Sequence, residues 1–246
     1  MKGVVLAGGL ATRLYPVTKV VNKHLLDVFD EPMIYYPIKA LARTGVTEVV
    51  VVTAEEALQG FRRLLGDGDD VGVRISYASQ ESGDLGISDA IARAEPLVNG
   101  EPIVCILGDN IFQEDLAPYV KAFQTQDKGA KILLKHVGSD DAHRFGIAEI
   151  LEGKIVGIEE KPADPKSDLA VTGCYMFDDR VFDFVRTLTP SGRGELEVTD
   201  LNNIYIEEGT MTYDVLSGWW TDAGTPASKL KASILVALEK GVTFHR

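Results

Sequence analysis

Gly3-Val4-Val5-Leu6-Ala7-Gly8-Gly9-Leu10-Ala11-Thr12-Arg13-Leu14 is an apolar run that breaks into two glycines and then an arginine. A β-branched run closed by a glycine pair reads as a buried strand ending in a tight turn. Lys19 and Lys23 follow, and the first 26 residues hold four Lys/Arg side chains and no acidic one. The whole chain has formal net charge -12, so this reversal is local. Glycines let backbone N–H groups approach a ligand closely, while Arg and Lys supply charge for phosphate oxygens. The segment reads as a polyphosphate cradle, with a plain βα turn as the alternative.

Two better-known glycine motifs do not fit. A P-loop needs G-x-x-x-x-G-K-[ST], and no Lys-Ser or Lys-Thr follows these glycines; a dinucleotide fingerprint needs G-x-G-x-x-G, which Gly8-Gly9-Leu10-Ala11 lacks. Working outward, strands are expected at residues 3–7, 48–53, 73–77 and 103–107, with helices at 33–44, 54–65 and 87–97 between them. That alternation is the signature of a mainly parallel sheet covered by helices, an open α/β fold. Ligands in such sheets bind beyond the carboxyl ends of the strands, so the Gly8-Gly9 and Gly108-Asp109-Asn110 turns should converge. An acid at that edge is well placed to hold Mg²⁺, although Gly108-Asp109 is also an ordinary turn.

Composition narrows the function. With 246 residues, 45% apolar, the chain can bury a sizeable core, and its acidic balance and pI of about 4.8 argue against general nucleic-acid binding. Cys105 and Cys174 lie inside apolar runs and read as reduced core thiols. No apolar stretch reaches the ~18 residues of a membrane span and no signal peptide is visible, so no membrane association and a cytoplasmic location are expected.

Past about residue 130 the pattern changes to strands at 131–137, 147–151, 154–158 and 171–177, which predicts a smaller, more antiparallel element. A helix at 198–207, a strand at 211–216 and a last helix at 226–239 complete the chain. Asp222 in Gly218-Trp219-Trp220-Thr221-Asp222-Ala223-Gly224 is a second candidate acid, or else an N-cap for the last helix. Glu159-Glu160-Lys161-Pro162 ends a strand, where Pro stops the ladder. Arg144-Phe145-Gly146 and Val171-Thr172-Gly173 carry glycines against which a ring-shaped ligand could lie.

Together these blocks, with Pro32-Met33-Ile34-Tyr35-Tyr36-Pro37, Leu107-Gly108-Asp109-Asn110-Ile111-Phe112 and Trp220-Thr221-Asp222-Ala223-Gly224-Thr225, resemble the sugar-1-phosphate nucleotidyltransferases. They occur in family order from the first residue to about Thr225. The resemblance implies a Rossmann-like nucleotidyltransferase fold over residues 1–246, with a nucleotide-binding half to about 130, a smaller sugar-phosphate-binding β half to about 225, and a C-terminal helix. It also implies transfer of a nucleotidyl group to a sugar 1-phosphate with release of pyrophosphate. Within the family the chain is similar to members that use dTTP and glucose 1-phosphate; the same chemistry with UTP, GTP, CTP or another sugar 1-phosphate, and a catalytically silent nucleotide-sugar sensor, are the alternatives.

By this resemblance Arg13 and Lys23 stabilise the reacting phosphates, Lys161 holds the sugar phosphate, and Asp109 with Asp222 binds Mg²⁺. Leu6, Gly8, Gly9, Gln80 and Gly86 face the nucleotide, and Gly146, Glu160, Val171 and Thr172 face the sugar. Three departures stand out: Ala11 where the family usually has glycine, Asp27 where Pro is common, and a longer base loop over residues 80–90. The last helix carries Leu230, Ile234, Leu235 and Leu238 at helical spacing, to pack on the chain's own sheet or a neighbour, and a homo-oligomer (dimer or tetramer) is expected. Long family members add a second, regulatory site partly from C-terminal helices; one helix here leaves little material for it, so feedback through such a site is expected to be absent.

Overall fold

The computed structural model describes residues 1–9, 11–80 and 85–243. β1 (Lys2–Ala7) is followed by a short ribbon of β2 (Asp27–Val28) and β3 (Glu31–Pro32), then α1 (Tyr35–Arg43), β4 (Glu48–Ala54), α2 (Leu58–Leu65), β5 (Arg74–Gln80), α3 (Ile87–Val98) and β6 (Ile103–Leu107). β7 (Asn110–Phe112) and α4 (Ala117–Gln124) lead to β8 (Ala130–His136), the short α5 (Ser139–Ala142), β9 (Gly146–Leu151), β10 (Lys154–Glu160) and β11 (Leu169–Phe177). α6 (Val181–Val185), α7 (Val198–Glu207), β12 (Met211–Val215), β13 (Trp220–Asp222) and α8 (Pro226–Glu239) finish the fold.

One nine-stranded sheet runs β10-β9-β11-β6-β1-β4-β5, with β8 and then β12 on the other edge of β11. β1 pairs in parallel with both β4 and β6, and β11 joins β6 antiparallel. The antiparallel strands of the second half therefore extend the first half's sheet. Period-two alternation divides the central strands between two cores. Val5, Val51 and Ile106 face α1 and α2 through Ile38, Leu41 and Phe61, whereas Val4, Val50 and Ile103 face α3 and α7 through Ile91, Leu201 and Tyr205. Burial on both faces is why these strands are continuous apolar runs. Cys174 belongs to the first core and Cys105 to the second, so the two free thiols lie on opposite faces of the sheet.

Several boundaries move. The first helix begins at Tyr35 because Met33 and Ile34 donate their backbone N–H groups to Leu26 and His24 in a turn. The helix expected from residue 54 opens as a 3-10 turn, Glu55–Ala57, before α2. α4 and α6 were not expected at all. The N-cap of α8 is Thr225, in a capping box with Ser228, which leaves Asp222 free for another role. α8 packs through the small residues Ala232, Val236 and Ala237, while Leu230, Ile234 and Leu238 face outward at 63%, 39% and 52% exposure. Of the four residues at apolar spacing, these three form the helix's outer stripe, and Leu235 is half-buried. Among the described residues no helix is long and apolar enough to cross a membrane.

Candidate active site

β1 and β6 end side by side at the centre of the sheet, where the Gly108 N–H donates to the Leu6 carbonyl at 2.8 Å. The two turns predicted to converge therefore do so. A Cβ on Gly108 would lie 2.8 Å from the His24 ring, so only glycine lets that ring sit against the turn. His24 is held by Asn22, whose carboxamide oxygen accepts from the His24 backbone N–H at 2.9 Å and lies 2.8 Å from its Nδ1, while its Nδ2 donates to the Ala7 carbonyl at 3.1 Å. Because Asn22 Oδ1 is an acceptor in both contacts, Nδ1 carries the proton. Burial, reinforced by the Lys23 charge, pushes the His24 pKa down to about 3, so the ring is neutral at working pH.

Asp109 follows β6 and is buried. Lys23 donates to its Oδ2 at 2.6 Å and Asn110 to its Oδ1 at 2.9 Å. Asn110 is pinned in turn by the Gly173 N–H (2.9 Å) and the Trp220 indole (2.6 Å), both donating to its Oδ1. Asp222 reaches the same place because β13 pairs antiparallel with β7, putting Asp222 opposite Asn110. A Cβ on Gly224 would lie 2.9 Å from Arg13, 3.2 Å from Asp222 Oδ2 and 3.3 Å from Asp109 Oδ2. Arg13 and both carboxylates thus border one point. Their environments differ: burial opposes the Asp109 charge, but its neighbours, Lys23 first among them and Asn110 with it, together outweigh burial and hold this carboxyl below the usual range, whereas burial and then Asp109 itself raise Asp222. A pair of acids pushed apart in this way is characteristic of working sites.

Two hard oxygen donors facing one space, with phosphate-binding cations around them, fit Mg²⁺, which takes one or two carboxylates and completes its shell with waters and substrate phosphates. No group of three or more His, Cys, Asp or Glu residues placed to hold a metal occurs among the described residues. The pair does not make a closed structural metal site.

Two cavities meet at Arg13 and Asp109. The first, of about 260 Å³, is lined by Leu6, Gly8, Gly9, Lys23, Gln80 and Gly86 as well as Arg13 and Asp109, which with Ile87, Leu107 and Glu195 line both. Gln80 is oriented by Asp89, to whose Oδ2 its Nε2 donates at 2.8 Å. Gly86 has φ +95, and a Cβ there would meet the Leu196 carbonyl at 2.6 Å, which no side chain tolerates. Residues 81–84 of the base loop lie outside the described residues, as does Leu10.

The second cavity, of about 270 Å³, is lined by Gly146, Glu160, Lys161, Val171, Arg144 and Asp222, again with Arg13 and Asp109. β10 runs to Glu160, two residues past its expected end, and Lys161 turns away at φ +47, a left-handed conformation uncommon outside glycine. Lys161 Nζ lies 3.1 Å from Glu160 Oε1, and Thr199 donates to Glu160 Oε2 at 2.7 Å. Thr172, expected to face the sugar, does not line this cavity: along the extended β11 the lining residues are Val171, Gly173 and Tyr175, and the buried Thr172 hydroxyl donates to the Leu133 carbonyl at 2.8 Å. Arg193, Asn202 and Asp89 were missed. Arg193 lines the second cavity 2.8 Å from Glu197, and its only sequence signal is an arginine between two glycines. Ala11 occupies a left-handed conformation at φ +48, which is the physical reason glycine is usual there.

Comparisons with known proteins identify the family. The family model described as nucleotidyl transferase matches residues 2–238. A glucose-1-phosphate thymidylyltransferase of Neisseria meningitidis is 45% identical over 96% of this chain and 82% of its own length, and one of Mycobacterium tuberculosis is 40% identical over the same shares. A crystal structure from Bacillus anthracis, assigned as a glucose-1-phosphate thymidylyltransferase and containing sucrose, superposes with a TM-score of 0.91 at 46% identity, covering 100% of this chain and 98% of that one. UDP-glucose pyrophosphorylase in complex with UDP-glucose, at 23% identity, shares the fold with a TM-score of 0.85 over 97% of this chain and 98% of its own. With a glycine turn, two facing acids and a match along nearly its full length, this chain belongs to the nucleotidyl transferase family.

Proposed function

We propose that the chain transfers the thymidylyl group of dTTP to glucose 1-phosphate, giving dTDP-glucose and pyrophosphate. The observation that carries this reading is the pair of cavities sharing Arg13 and Asp109, one beside the glycine turn and one beside Lys161. A phosphate oxygen of the sugar phosphate attacks the α-phosphorus in line, and the bond to the β-phosphate oxygen breaks. Such a reaction needs positioning and charge stabilisation rather than a covalent intermediate. Arg13, at the shared wall, faces the charge that grows on the α-phosphate, and Lys23 and the Gly8-Gly9 turn hold the leaving pyrophosphate. Lys161 holds the sugar phosphate; Glu160, Gly146 and Val171 face the sugar; Leu6, Gln80 and Gly86 face the base and ribose.

Asp109 and Asp222 would hold Mg²⁺, which when bound neutralises phosphate charge during the attack. The relatives' names support the choice of dTTP and glucose 1-phosphate, and two buried thiols fit a reducing, cytoplasmic setting. We place the sugar-binding half at about residues 131–225 and read the outer stripe of α8 as a contact between copies in a homo-oligomer. Pyrophosphate release measured with a panel of nucleotides and sugar 1-phosphates, with and without Mg²⁺, tests the reaction. dTTP should lead, with UTP behind it by the about 1–3 kcal/mol that one methyl is worth in a fitted pocket. Equal or better turnover with GTP or CTP would overturn the base assignment.

A further inference from the structure

Asn202 lines the sugar-side cavity from α7, three residues and one turn after Thr199, and is 1% exposed. Its carboxamide oxygen finds no hydrogen-bond partner among the described residues. The neighbouring Asn203 shows what a structural asparagine does at this point of the helix: its Oδ1 accepts from the Ile158 N–H and its Nδ2 donates to the Ile158 carbonyl, each at 3.0 Å. A buried acceptor left without a donor is destabilising, and folded chains retain few of them. An orphan acceptor in the wall of a substrate cavity is therefore a ligand-reading group that meets its donor when the substrate arrives.

The cavity's own chemistry says which donor that is. Arg13, Arg144, Lys161 and Arg193 supply the positive charge and match the phosphate, which has no proton to spare for an amide oxygen. Thr199 and Glu160 are already bonded to one another at 2.7 Å. The ligand's hydroxyl groups are the neutral donors available to Asn202. We propose that Asn202 is a specificity-determining residue that accepts a hydrogen bond from one hydroxyl of the sugar 1-phosphate. This rests on the reading of the second cavity as a hexose 1-phosphate site.

The test is a cycle of enzyme variants against substrate analogues. kcat/KM is measured for the unaltered enzyme, Asn202→Leu and Asn202→Asp with glucose 1-phosphate and its 2-, 3-, 4- and 6-deoxy analogues, at saturating dTTP. The unaltered enzyme should lose roughly 10- to 100-fold on one analogue, because the acceptor is then left unpaired. Asn202→Leu should lose a similar factor on glucose 1-phosphate and be indifferent to the removal of that same hydroxyl, while Asn202→Asp, which keeps an acceptor, should retain the discrimination. A loss that is uniform across all five substrates, or no loss, overturns the proposal and makes Asn202 structural. Should Asn202→Leu fail to fold, Asn202→Ala, which also lacks an acceptor, carries the same comparison. Absence of turnover by the unaltered enzyme would instead refute the proposed reaction; calorimetric binding of the same five sugar phosphates to the unaltered protein and Asn202→Leu then decides the role of Asn202, by the same criterion.

Discussion

Lys23→Ala and Lys161→Ala both remove a cation from the site, and both break a short ion pair, yet their costs to the fold should differ severalfold. Lys23 lies 2.6 Å from Asp109, with the two side chains 14% and 11% exposed; Lys161 lies 3.1 Å from Glu160, with exposures of 45% and 29%. Removing one partner of a buried pair strands the other charge out of water, at about 3–5 kcal/mol, whereas an exposed pair is screened and is worth about 0–1 kcal/mol. For a chain of this size about 1 kcal/mol moves Tm by roughly 2–4 °C. Lys23→Ala should therefore lower Tm by on the order of 10 °C, and Lys161→Ala by no more than about 4 °C. Thermal and urea unfolding of both variants, at matched ionic strength, measures this. Kinetics should separate Lys161 from Arg13: Lys161→Ala raises KM for the sugar phosphate, while Arg13→Ala, by removing a cation proposed to face charge developed in the transition state, lowers kcat. Equal destabilisation by the two lysine variants would refute the burial argument, and a reversed KM and kcat pattern would exchange the roles of Lys161 and Arg13.

Asp109→Asn and Asp222→Asn should each abolish most turnover but move stability in opposite directions, because the fold favours the Asp109 carboxylate and disfavours that of Asp222; unfolding free energies at pH 7 that shift the same way for both would contradict this. His24, with a pKa of about 3 in the fold against 6.5 unfolded, takes up its proton only on unfolding, so stability is lost as pH falls below 6.5, by about 1.4 kcal/mol per unit. A His24→Gln variant should lose that slope between pH 6.5 and 4, and an unchanged difference between the two proteins across this range would show the ring to be accessible. If copies join through the outer stripe of α8 as proposed, Leu230→Glu with Leu238→Glu should lower the sedimenting mass without unfolding the chain, since both residues are exposed in the single copy; a monomer before and after, or an unchanged assembly, would refute that contact.

Much of this molecule is legible in its residues because the deciding signals are local. Val-rich runs closed by glycine or Gly-Asp define the central strands and their turns, since a strand buried on both faces must be apolar throughout, and such strands need helices between them. The order of Arg13, Lys23, Asp109, Lys161 and Asp222 in their motifs identifies the family for the same reason. The direction in which a side chain points is different. Thr172 sits between two cavity-lining residues yet turns inward to the Leu133 carbonyl, and Leu230, Ile234 and Leu238 of α8 face outward although their spacing is that of a packed helix. Each outcome depends on which neighbour occupies the other side, and no local pattern carries that. Asp109 and Asp222, 113 residues apart (222 − 109), become partners only because β13 adds to β7. Asn110, pinned by Gly173 and Trp220, and Asn202, left without a donor, acquire their meaning in the same way. Composition and periodicity determine which residues can be buried, whereas the charge, hydrogen bonding and exposure of each site group depend on distances that only the packed chain sets.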